Sequence, residues 1–304
     1  MILTAVLLCL LLLSVCLCLH IWMRNRKMYR VIDQMMDEIL DGEEISQSDI
    51  KEGGISVLAA KAKRIQEKVN LGIQSAEEEK EQVKSLISNM SHQLKTPLAG
   101  VMMYREMIED DSLDAATRKK FLSRMKQQSE KIDWILQSLF KMVNLEQGAV
   151  VFEAKPLPIK ETIMDAVAAV LDKADKKEIK ILTEPFADRI IWHNRKWTAE
   201  VLVNLLENAV KYTEIGGTIR LSLHPMEMYS EIRVSDTGIG IRQEEQTDIF
   251  KRFYRSEDVE NLEGSGIGLY LSRLILEHEK GYITVHSVTG KGSTFSVFLQ
   301  NCQN

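Results

Sequence analysis

The histidine at position 92 has the chemistry and the surroundings of a nucleophile that could accept a phosphoryl group. Met90 and Leu94 lie on an apolar helical stripe, and at about 100° per residue the imidazole points roughly 200° away from both, toward solvent. Pro97 has no N–H to donate to the carbonyl of Gln93, which loosens the helix one turn from the ring. Because the ordinary pKa of imidazole is about 6.5, much of it is neutral near pH 7 and can attack phosphorus. Taken alone, however, an exposed histidine is more often an ordinary surface residue.

Two asparagines, Asn204 and Asn208, could contribute to a metal site further along the chain. They are four residues apart on a predicted helix and therefore share one face. Side-chain amide oxygens suit Mg²⁺, which prefers oxygen ligands and usually joins protein groups to phosphates. Lys211 could add positive charge toward the phosphates, and Tyr212 could lie against a nucleotide base. Taken alone, the pair is better explained as a polar helix end.

Two glycine-rich segments follow, DTGIG at residues 236–240 and GSGIG at residues 264–268. The carboxylate of Asp236, just after a predicted strand, could accept a hydrogen bond from an amino group such as that of adenine. The three glycines of the second segment allow close backbone approach to phosphates beside a predicted helix at residues 269–276. A tight turn explains one such loop equally well, but two loops together with the asparagines favour a nucleotide site. It is neither a Rossmann nor a P-loop site, because the glycines do not open a parallel βαβ unit and no Gly-Lys-Ser/Thr sequence is present.

The N-terminal segment predicts a transmembrane signal anchor at residues 1–23. Residues 2–23 carry no charge, and a helix of that length spans about 33 Å, enough for the hydrocarbon core of a bilayer. Basic residues follow at positions 24–30 and, by the positive-inside tendency, place the N-terminus outside and the remaining chain in the cytoplasm. A cleaved secretory signal is disfavoured, because the apolar run is too long and no basic residue precedes it. We expect a single-pass protein of the cell membrane without an extracellular sensor domain, so that detection occurs within the bilayer, through a partner membrane protein or in the cytoplasm.

The overall composition fits a folded protein of roughly two ordinary domains. Of the 304 residues, 45% are hydrophobic, which is enough for a packed core. The net charge of -5 argues against a nucleic-acid partner, since such proteins usually present a basic surface. Three cysteines lie within the predicted membrane helix and Cys302 lies near the other end of the chain, so we interpret them as small apolar residues rather than as a disulfide or metal framework.

The first half of the chain predicts long helices. We expect a cytoplasmic helical linker at residues 24–74, with an amphipathic helix at 28–40, a break at Gly53-Gly54 and a second helical stretch at 55–84. A helical hairpin follows at residues 75–150. Its helices carry heptad-like apolar stripes, formed by Val83, Ile87, Met90, Leu94, Val101 and Tyr104 in the first helix and by Leu122, Met125, Ser129, Ile132, Leu136, Leu139 and Val143 in the second.

The second hairpin helix has candidate signals at both ends. Asp114 could cap its start, and Gly148 is placed to stop it. Two such helices bury little apolar surface by themselves, so pairing with a second copy of the chain into a four-helix bundle is expected. A generic coiled-coil linker would be the preferred interpretation if His92 were absent.

The second half of the chain, residues 151–304, alternates helical and β-like runs. Helical stretches are predicted at 159–173 and 198–212. The β-like runs lie at 179–182, 189–192, 218–223, 231–235, 282–286 and 293–299. This mixed order predicts an α/β two-layer sandwich with helices on one sheet face, so the whole chain is expected to be an α+β multi-domain protein.

The order and separation of the four motifs resemble those of bacterial sensor histidine kinases, from about residue 75 onward. The serine before His92 and the Thr-Pro-Leu after it resemble the phosphoacceptor motif of a HisKA-type dimerisation domain. The asparagine pair and the glycine loops resemble the GHKL ATP-binding domain that histidine kinases share with gyrase and MutL. The resemblance implies a homodimeric two-component kinase in which His92 is autophosphorylated from Mg-ATP and passes the phosphoryl group to an aspartate of a cognate response regulator. Thr96 would position water when the kinase dephosphorylates that regulator.

Within the ATP-binding domain, the resemblance assigns Asp236 to adenine recognition and Asn208 to Mg²⁺. The full set of expected nucleotide-binding residues is Asn204, Asn208, Lys211, Tyr212, Asp236, Gly238, Gly240, Phe250, Phe253, Gly264, Ser265, Gly266 and Gly268. The two phenylalanines of this set would anchor a mobile lid at residues 241–263. Arg252 and Arg255 would contact phosphate or the helical domain, although a solvated basic face also explains them.

Two positions depart from the family pattern. The family commonly has Glu or Asp directly after the histidine, where it accepts the imidazole proton; this chain has Gln93, which can orient the ring but cannot act as a base. ATP-hydrolysing relatives carry a glutamate where Asn204 stands, so transfer to a protein acceptor is favoured over hydrolysis. Two alternatives stay open. One is a signalling scaffold that binds ATP but depends on a partner kinase, which Gln93 permits, and the other is an ATPase that drives conformational change.

Overall fold

The computed structural model describes residues 2–40, 54–110, 112–150, 152–259 and 264–302. The chain divides into two compact units, residues 1–88 and 89–304. Within the described ranges the first unit is helical, and the second contains a helical hairpin followed by an α/β domain.

The N-terminal helix α1 (Ile2–Leu40) is continuous. The sequence predicted two separate stretches, at residues 2–23 and 28–40, and the structure joins them. No glycine or proline stands between the two stretches, so nothing in the backbone ends the helix there. By length and composition α1 can cross a membrane, with a mean hydropathy of 2.2 over its apolar part.

The next helix, α2 (Gly54–Ile108), also joins two predicted stretches, the end of the linker and the first hairpin helix. Gly54 begins this helix, whereas Gly53 of the predicted break lies outside the described residues. Pro97 is buried inside α2, and the helix continues beyond it. The missing N–H of this proline therefore removes one hydrogen bond without ending the helix.

The third helix, α3 (Ala115–Glu146), begins and ends close to the predicted signals. Asp114 accepts hydrogen bonds from the backbone N–H groups of Ala116 at 2.8 Å and Thr117 at 2.9 Å, which satisfies two free donors at the helix start. The hydroxyl of Thr117 also donates to Asp114 and lowers the pKa of this carboxyl below its ordinary value. Gly148 has a φ of +62° just beyond the helix, a conformation that favours glycine.

Only part of the predicted apolar stripe of α3 is buried within one chain. Leu139 is 4% exposed, whereas Leu122 and Leu136 are 46% and 37% exposed. Met142 and Leu145, which the stripe did not include, are buried, and Leu145 belongs to the hydrophobic core of the α/β domain. Packing against the α/β domain therefore determines the buried face at the end of α3, and the heptad pattern does not encode that contact.

The α/β domain is a two-layer sandwich, as predicted. Its strands are β1 (Lys155–Pro158), β2 (Lys180–Thr183), β3 (Ile190–His193), β4 (Thr218–Pro225), β5 (Tyr229–Asp236), β6 (Tyr282–Val288) and β7 (Gly292–Gln300). Its helices are α4 (Ile159–Asp175), α5 (Arg195–Tyr212) and α6 (Gly268–His278). The sheet order is β2-β4-β5-β7-β6, with β2 parallel to β4 and the other pairs antiparallel. Fully buried side chains from the two layers include Ile163, Leu202, Leu206, Ile275, Ile219, Val234 and Val297.

A two-stranded ribbon of β1 and β3 lies outside this sheet, and the sequence predicted only its second strand. Strand β1 was not predicted because it contains Pro156 and Pro158. Proline has no backbone N–H and usually argues against a strand. Strand β1 tolerates its prolines because, within the described residues, it pairs with β3 on one side only.

A buried carboxylate connects the end of α6 to the start of α5. Glu279, directly after α6, is 1% exposed. It accepts hydrogen bonds from the backbone N–H of Asn194 at 2.7 Å and from the hydroxyl of Thr198 at 2.8 Å. Burial raises the pKa of Glu279 to about 7, although both hydrogen bonds act to lower it.

This pKa predicts a pH dependence of stability. The pKa of Glu279 in the folded chain, about 7, lies above its ordinary value of 4.5, so the folded state holds the proton more tightly than the unfolded state. The free energy of unfolding should therefore fall as the pH rises from about 4.5 to about 7. Glu279→Gln keeps a carbonyl acceptor but cannot ionise, and it should lose this decline in urea unfolding followed by tryptophan fluorescence.

The matched control is Glu277→Gln, on the exposed face of α6, which should keep the wild-type pH dependence. An unchanged pH dependence in Glu279→Gln would contradict the proposed origin of the effect.

Candidate functional site

The carboxylate of Asp236 lies at the end of β5, near the centre of the sheet. Its Oδ1 accepts hydrogen bonds from the backbone N–H groups of Gly238 at 2.8 Å and Ser293 at 3.3 Å. Burial raises the pKa of Asp236, and the two hydrogen bonds oppose that rise. Within the described part of the chain no group donates to Oδ2. This oxygen can therefore accept a hydrogen bond from a ligand, such as the amino group predicted from the sequence.

The DTGIG loop after Asp236 packs too closely for larger residues. A side chain at Gly238 would lie 2.5 Å from the carbonyl oxygen of Tyr212 and 2.8 Å from Oδ1 of Asp236. Gly240 has a φ of +74°, and a side chain there would run into the carbonyl of Val288. The two glycines therefore hold the loop between the end of α5 and the turn that joins β6 to β7.

Helix α5 presents the predicted polar residues on one half-buried face, formed by Asn204, Asn208, Lys211 and Tyr212. Asn204 donates a hydrogen bond from Nδ2 to the hydroxyl of Ser272 at 2.9 Å, which ties α5 to α6. The amide of Asn208 has no hydrogen bond to the residues described here. Its oxygen therefore fits the predicted role of a Mg²⁺ ligand next to phosphates.

A cluster of three His, Cys, Asp or Glu side chains that could hold a metal ion is not found among the described residues. The metal site expected here needs no such cluster, because phosphate oxygens and water molecules supply most of the other ligands of a nucleotide-bound Mg²⁺.

The second glycine loop lies against this face of α5. A side chain at Gly264 would come within 2.8 Å of Nζ of Lys211, and one at Gly268 would run into the carboxamide of Asn204. Gly266 has a φ of +69°, and its carbonyl accepts a hydrogen bond from the backbone N–H of Phe253 at 2.9 Å. The structure thus brings the asparagine face of α5 and the second glycine loop, which leads into α6, into direct contact.

Ser265 and Tyr212, also in the predicted set, use their hydroxyl groups for contacts inside the protein. Ser265 is buried, and its hydroxyl accepts a hydrogen bond from the backbone N–H of Ile267 at 3.3 Å, which stabilises the glycine loop. The hydroxyl of Tyr212 accepts a hydrogen bond from Nζ of Lys211 at 2.8 Å, and burial raises its pKa.

The predicted lid is described up to residue 259, and residues 260–263 lie outside the described ranges. Phe250 is buried and packs edge-on against Phe295, with 6.5 Å between ring centroids, so it anchors this segment to the core. Glu245 is also buried. Two hydrogen bonds from Arg242 hold the pKa of Glu245 at about 2, and Tyr254 donates a further hydrogen bond to the same carboxylate.

Arg252 contacts the helical hairpin, one of the two roles predicted for it. Its guanidinium lies 2.8 Å from the carboxylate of Glu146 at the end of α3 and 5.0 Å above the ring of Tyr270. The hydroxyl of Tyr270 donates to the same carboxylate at 2.7 Å. Arg255 instead donates to the carbonyl of Val259, within the lid segment, at 2.8 Å.

On α2, the structure confirms that His92 is exposed, and Thr96 is exposed with it, whereas Gln93 is half-buried. In the described residues, no hydrogen bond or ion pair joins these side chains to the residues around Asp236. The chemical roles assigned to the site residues stay predictions.

Two serines near the site were not predicted from the sequence. Ser272 holds the carboxamide of Asn204, and Ser293 provides one of the amides that hold Asp236. The only local signal was the pair of glycines before Ser293, Gly290 and Gly292, which marks a tight turn.

An exposed histidine on a helical hairpin, followed by a strand-end carboxylate between two glycine loops and an asparagine face, defines the class of histidine kinases. Comparison with known families gives the same class. Residues 82–148 match the family described as His Kinase A (phospho-acceptor) domain. Residues 193–302 match the family described as Histidine kinase-, DNA gyrase B-, and HSP90-like ATPase.

Curated relatives extend this match over most of the chain. The sensor histidine kinase YcbM of Bacillus subtilis is 30% identical over 230 residues, which cover 72% of this chain and 71% of that protein. RppB, a sensor histidine kinase of Synechocystis, is 28% identical over 72% of this chain and 49% of that protein. The adaptive-response sensory kinase SasA of Synechococcus is 30% identical over 70% of this chain and 58% of that protein. The chain therefore belongs to the sensor histidine kinase family, although it spans only about half the length of the last two relatives.

Solved structures share the fold. Histidine kinase ThkA, in complex with the response regulator protein TrrA, has a TM-score of 0.60 at 19% identity and covers 76% of this chain and 66% of its own. The histidine kinase AdeS of Acinetobacter baumannii has a TM-score of 0.56 at 20% identity and covers 70% of this chain and 98% of its own. The predicted fold class is thus confirmed.

Gly268 provides a test of the assembled site. In Gly268→Ala the new methyl group would displace the carboxamide of Asn204, which its bond to Ser272 prevents from moving freely. We expect the Kd for ATP to rise about tenfold, since a forced shift of this kind typically costs about 1–3 kcal/mol. Displacement of a fluorescent ATP analogue from the full-length chain in detergent measures this effect.

Gly72→Ala in α2 is the control, because a side chain at Gly72 would meet no atom within 4 Å. It should bind ATP as the wild type does. A wild-type Kd in Gly268→Ala would show that Asn204 and the glycine loop do not act together.

Proposed function

We propose that this chain is an ATP-dependent protein-histidine kinase of a two-component system. His92 takes the γ-phosphoryl group of Mg-ATP and passes it to an aspartate of a response regulator. The observation that carries this proposal is the pairing of an exposed imidazole with a half-buried, strand-end carboxylate whose Oδ2 is open to a ligand amino group. Membership of the sensor histidine kinase family supports it.

In the nucleotide pocket, Asp236 accepts a hydrogen bond from the adenine amino group. Asn208, with its amide oxygen, is the residue that would hold Mg²⁺, which supplies charge neutralisation to the phosphates when bound. Lys211 and the backbone of the second glycine loop lie on the same side of α5 and hold the phosphates. Catalysis by these residues is mainly positioning and electrostatic stabilisation, as is usual for phosphoryl transfer.

In the transfer step, an imidazole nitrogen of His92 forms a bond to the γ-phosphorus while the bond from that phosphorus to the bridging oxygen breaks, and ADP leaves. The ring proton must also leave. Gln93 cannot accept it, so it passes to water or to another base. The phosphoryl group then moves to a carboxylate oxygen of the regulator while its bond to the imidazole nitrogen breaks. The ring takes up one proton from water, so that His92 returns to its neutral form. Thr96, exposed one turn from His92, positions water in a separate reaction, the hydrolysis of the phosphorylated aspartate of the regulator, which releases inorganic phosphate.

The helical hairpin dimerises in this proposal. Several large apolar side chains of α2 and α3 remain exposed in a single chain and would be covered by a second copy: Leu98, Met102, Met103, Leu122, Trp134 and Phe140. The complex of the neighbour ThkA with TrrA supports a response regulator as the second partner.

The membrane orientation follows from α1. Its apolar part would span the bilayer with the N-terminus outside, and Arg24, Arg26 and Arg30 would lie at the cytoplasmic surface. On this basis residues 1–23 are the anchor, 24–74 the linker, 75–150 the dimerisation and phosphotransfer domain and 151–304 the catalytic domain.

The central test is labelling of the full-length chain in detergent with Mg-ATP that carries a labelled γ-phosphoryl group. A kinase gives acid-labile, alkali-stable label on the protein, and His92→Ala abolishes it. His286→Ala, which removes another exposed histidine, should label like the wild type. Binding of ATP without label would favour the scaffold, and release of phosphate without label would favour the ATPase; either result contradicts the proposed function.

A second prediction concerns the missing base beside His92. Gln93→Glu places a carboxylate at the position of the neutral amide, where it can accept the imidazole proton. We expect the initial rate of His92 labelling to rise about a hundredfold in a single-turnover assay, the lower end of what a positioned base contributes. Gln93→Met is a control of similar length without a base and should give no gain. Equal rates for Gln93→Glu and the wild type would remove this explanation.

A further inference from the structure

The turn between β6 and β7 supports both the DTGIG loop and the start of the lid. The backbone N–H of Gly290 donates to the carbonyl of Ile239 at 2.6 Å. A side chain at Gly240 would run into the carbonyl of Val288, so the loop and the turn are in direct contact. The turn therefore determines where the loop lies relative to the sheet.

Ser287, which is 8% exposed near the end of β6, connects these elements through its hydroxyl. It accepts a hydrogen bond from the backbone N–H of Ile241 at 2.8 Å and donates one to the carbonyl of Gly292 at 2.9 Å. It also lies 2.9 Å from the hydroxyl of Ser293. Because a hydroxyl has one proton and two acceptor lone pairs, Ser293 is the donor in this last contact, and Ser287 uses its full hydrogen-bonding capacity.

Both sides of this network lead to the proposed nucleotide pocket. On one side, the backbone N–H of Ser293 donates to Oδ1 of Asp236. On the other side, Ile241 begins the predicted lid segment. The backbone carbonyl of Ser287 also accepts a hydrogen bond from the side chain of Gln246 at 2.9 Å, within the same segment. The buried hydroxyl of Ser287 thus links Ser293, whose backbone N–H holds Asp236, to the first residues of the lid.

We propose that Ser287 is a positioning residue of the nucleotide pocket. Its hydroxyl fixes the position of Asp236 relative to the start of the lid. This position determines how strongly the pocket prefers bases that carry an amino group. This inference rests on the proposed function, in which Asp236 accepts a hydrogen bond from adenine. Loss of the hydroxyl leaves the N–H of Ile241, the carbonyl of Gly292 and the hydroxyl of Ser293 without this partner in a buried site. A small shift of Asp236 is then enough to weaken its hydrogen bond with the adenine amino group, because the strength of a hydrogen bond falls steeply as the angle at the hydrogen departs from linearity.

The test compares the Kd values of ATP and purine riboside triphosphate, which lacks the exocyclic amino group, for the full-length chain in detergent. The wild type should prefer ATP by about tenfold, the typical worth of one hydrogen bond to a charged group. Ser287→Ala should raise the Kd of ATP about tenfold and leave that of the analogue nearly unchanged, so that most of the preference is lost. Ser287→Thr restores the hydroxyl and should restore the preference.

A matched control is Ser230→Ala, which removes another buried serine hydroxyl at the opposite end of β5, where it donates to Asn301. It should leave the ratio of the two Kd values at the wild-type level. If Ser287→Ala raises both Kd values equally, the serine only stabilises the fold and the positioning role is overturned. A wild type that binds both nucleotides equally overturns the role of Asp236 itself, and a wild type that binds neither overturns the proposed function.

Ser293→Ala keeps the test decisive should Ser287→Ala not fold. It removes one hydroxyl of the network but keeps the backbone N–H that donates a hydrogen bond to Oδ1 of Asp236. We expect a partial loss of the preference for ATP, and an unchanged ratio would overturn the proposal.

Discussion

The hydrogen bonding of one half-buried carboxylate, that of Asp236, is the constraint on which the rest of the site depends. The carboxylate is stable in this position because its Oδ1 accepts hydrogen bonds from two backbone N–H groups, while desolvation still raises its pKa. Each of those amides comes from a segment that only glycine permits. Gly238 lies against the end of α5, and a side chain at Gly292 would run into the carbonyl of Asp236. The DTGIG loop and the turn between β6 and β7 therefore provide the hydrogen-bond donors for Oδ1 of Asp236 and leave Oδ2 for a ligand.

Helix α5 positions the other polar groups of the pocket. Its core face buries Leu202, Leu205 and Leu206, so the 3.6-residue period places Asn204 and Asn208 together on the face beside it. The absence of a side chain at Gly268 lets α6 start directly against Asn204. The nucleotide face is thus a by-product of how α5 packs into the core, and a change in that packing would move all of its polar groups at once.

Features that depend on neighbours in sequence were predictable. The exposure of His92, the cap at Asp114 and the alternating strands each follow from residues within one or two turns. The hydrogen bond from Asn204 to Ser272 spans 68 residues and the ion pair of Arg252 with Glu146 joins two domains, so neither has a local signal. The continuity of α1 was missed for another reason. The change from apolar to polar residues suggested a boundary, but it alters only the surroundings of the helix and not its backbone.

The measurement that tests this account most directly is a structure of the full-length chain with Mg²⁺ and a non-hydrolysable ATP analogue. The account predicts that the adenine amino group lies about 3 Å from Oδ2 of Asp236. It also predicts that the amide oxygen of Asn208 contacts the metal and that the phosphates lie along the loop at residues 264–268. A base that points away from Asp236, or a nucleotide bound elsewhere on the sheet, would contradict the central claim that this carboxylate organises the site.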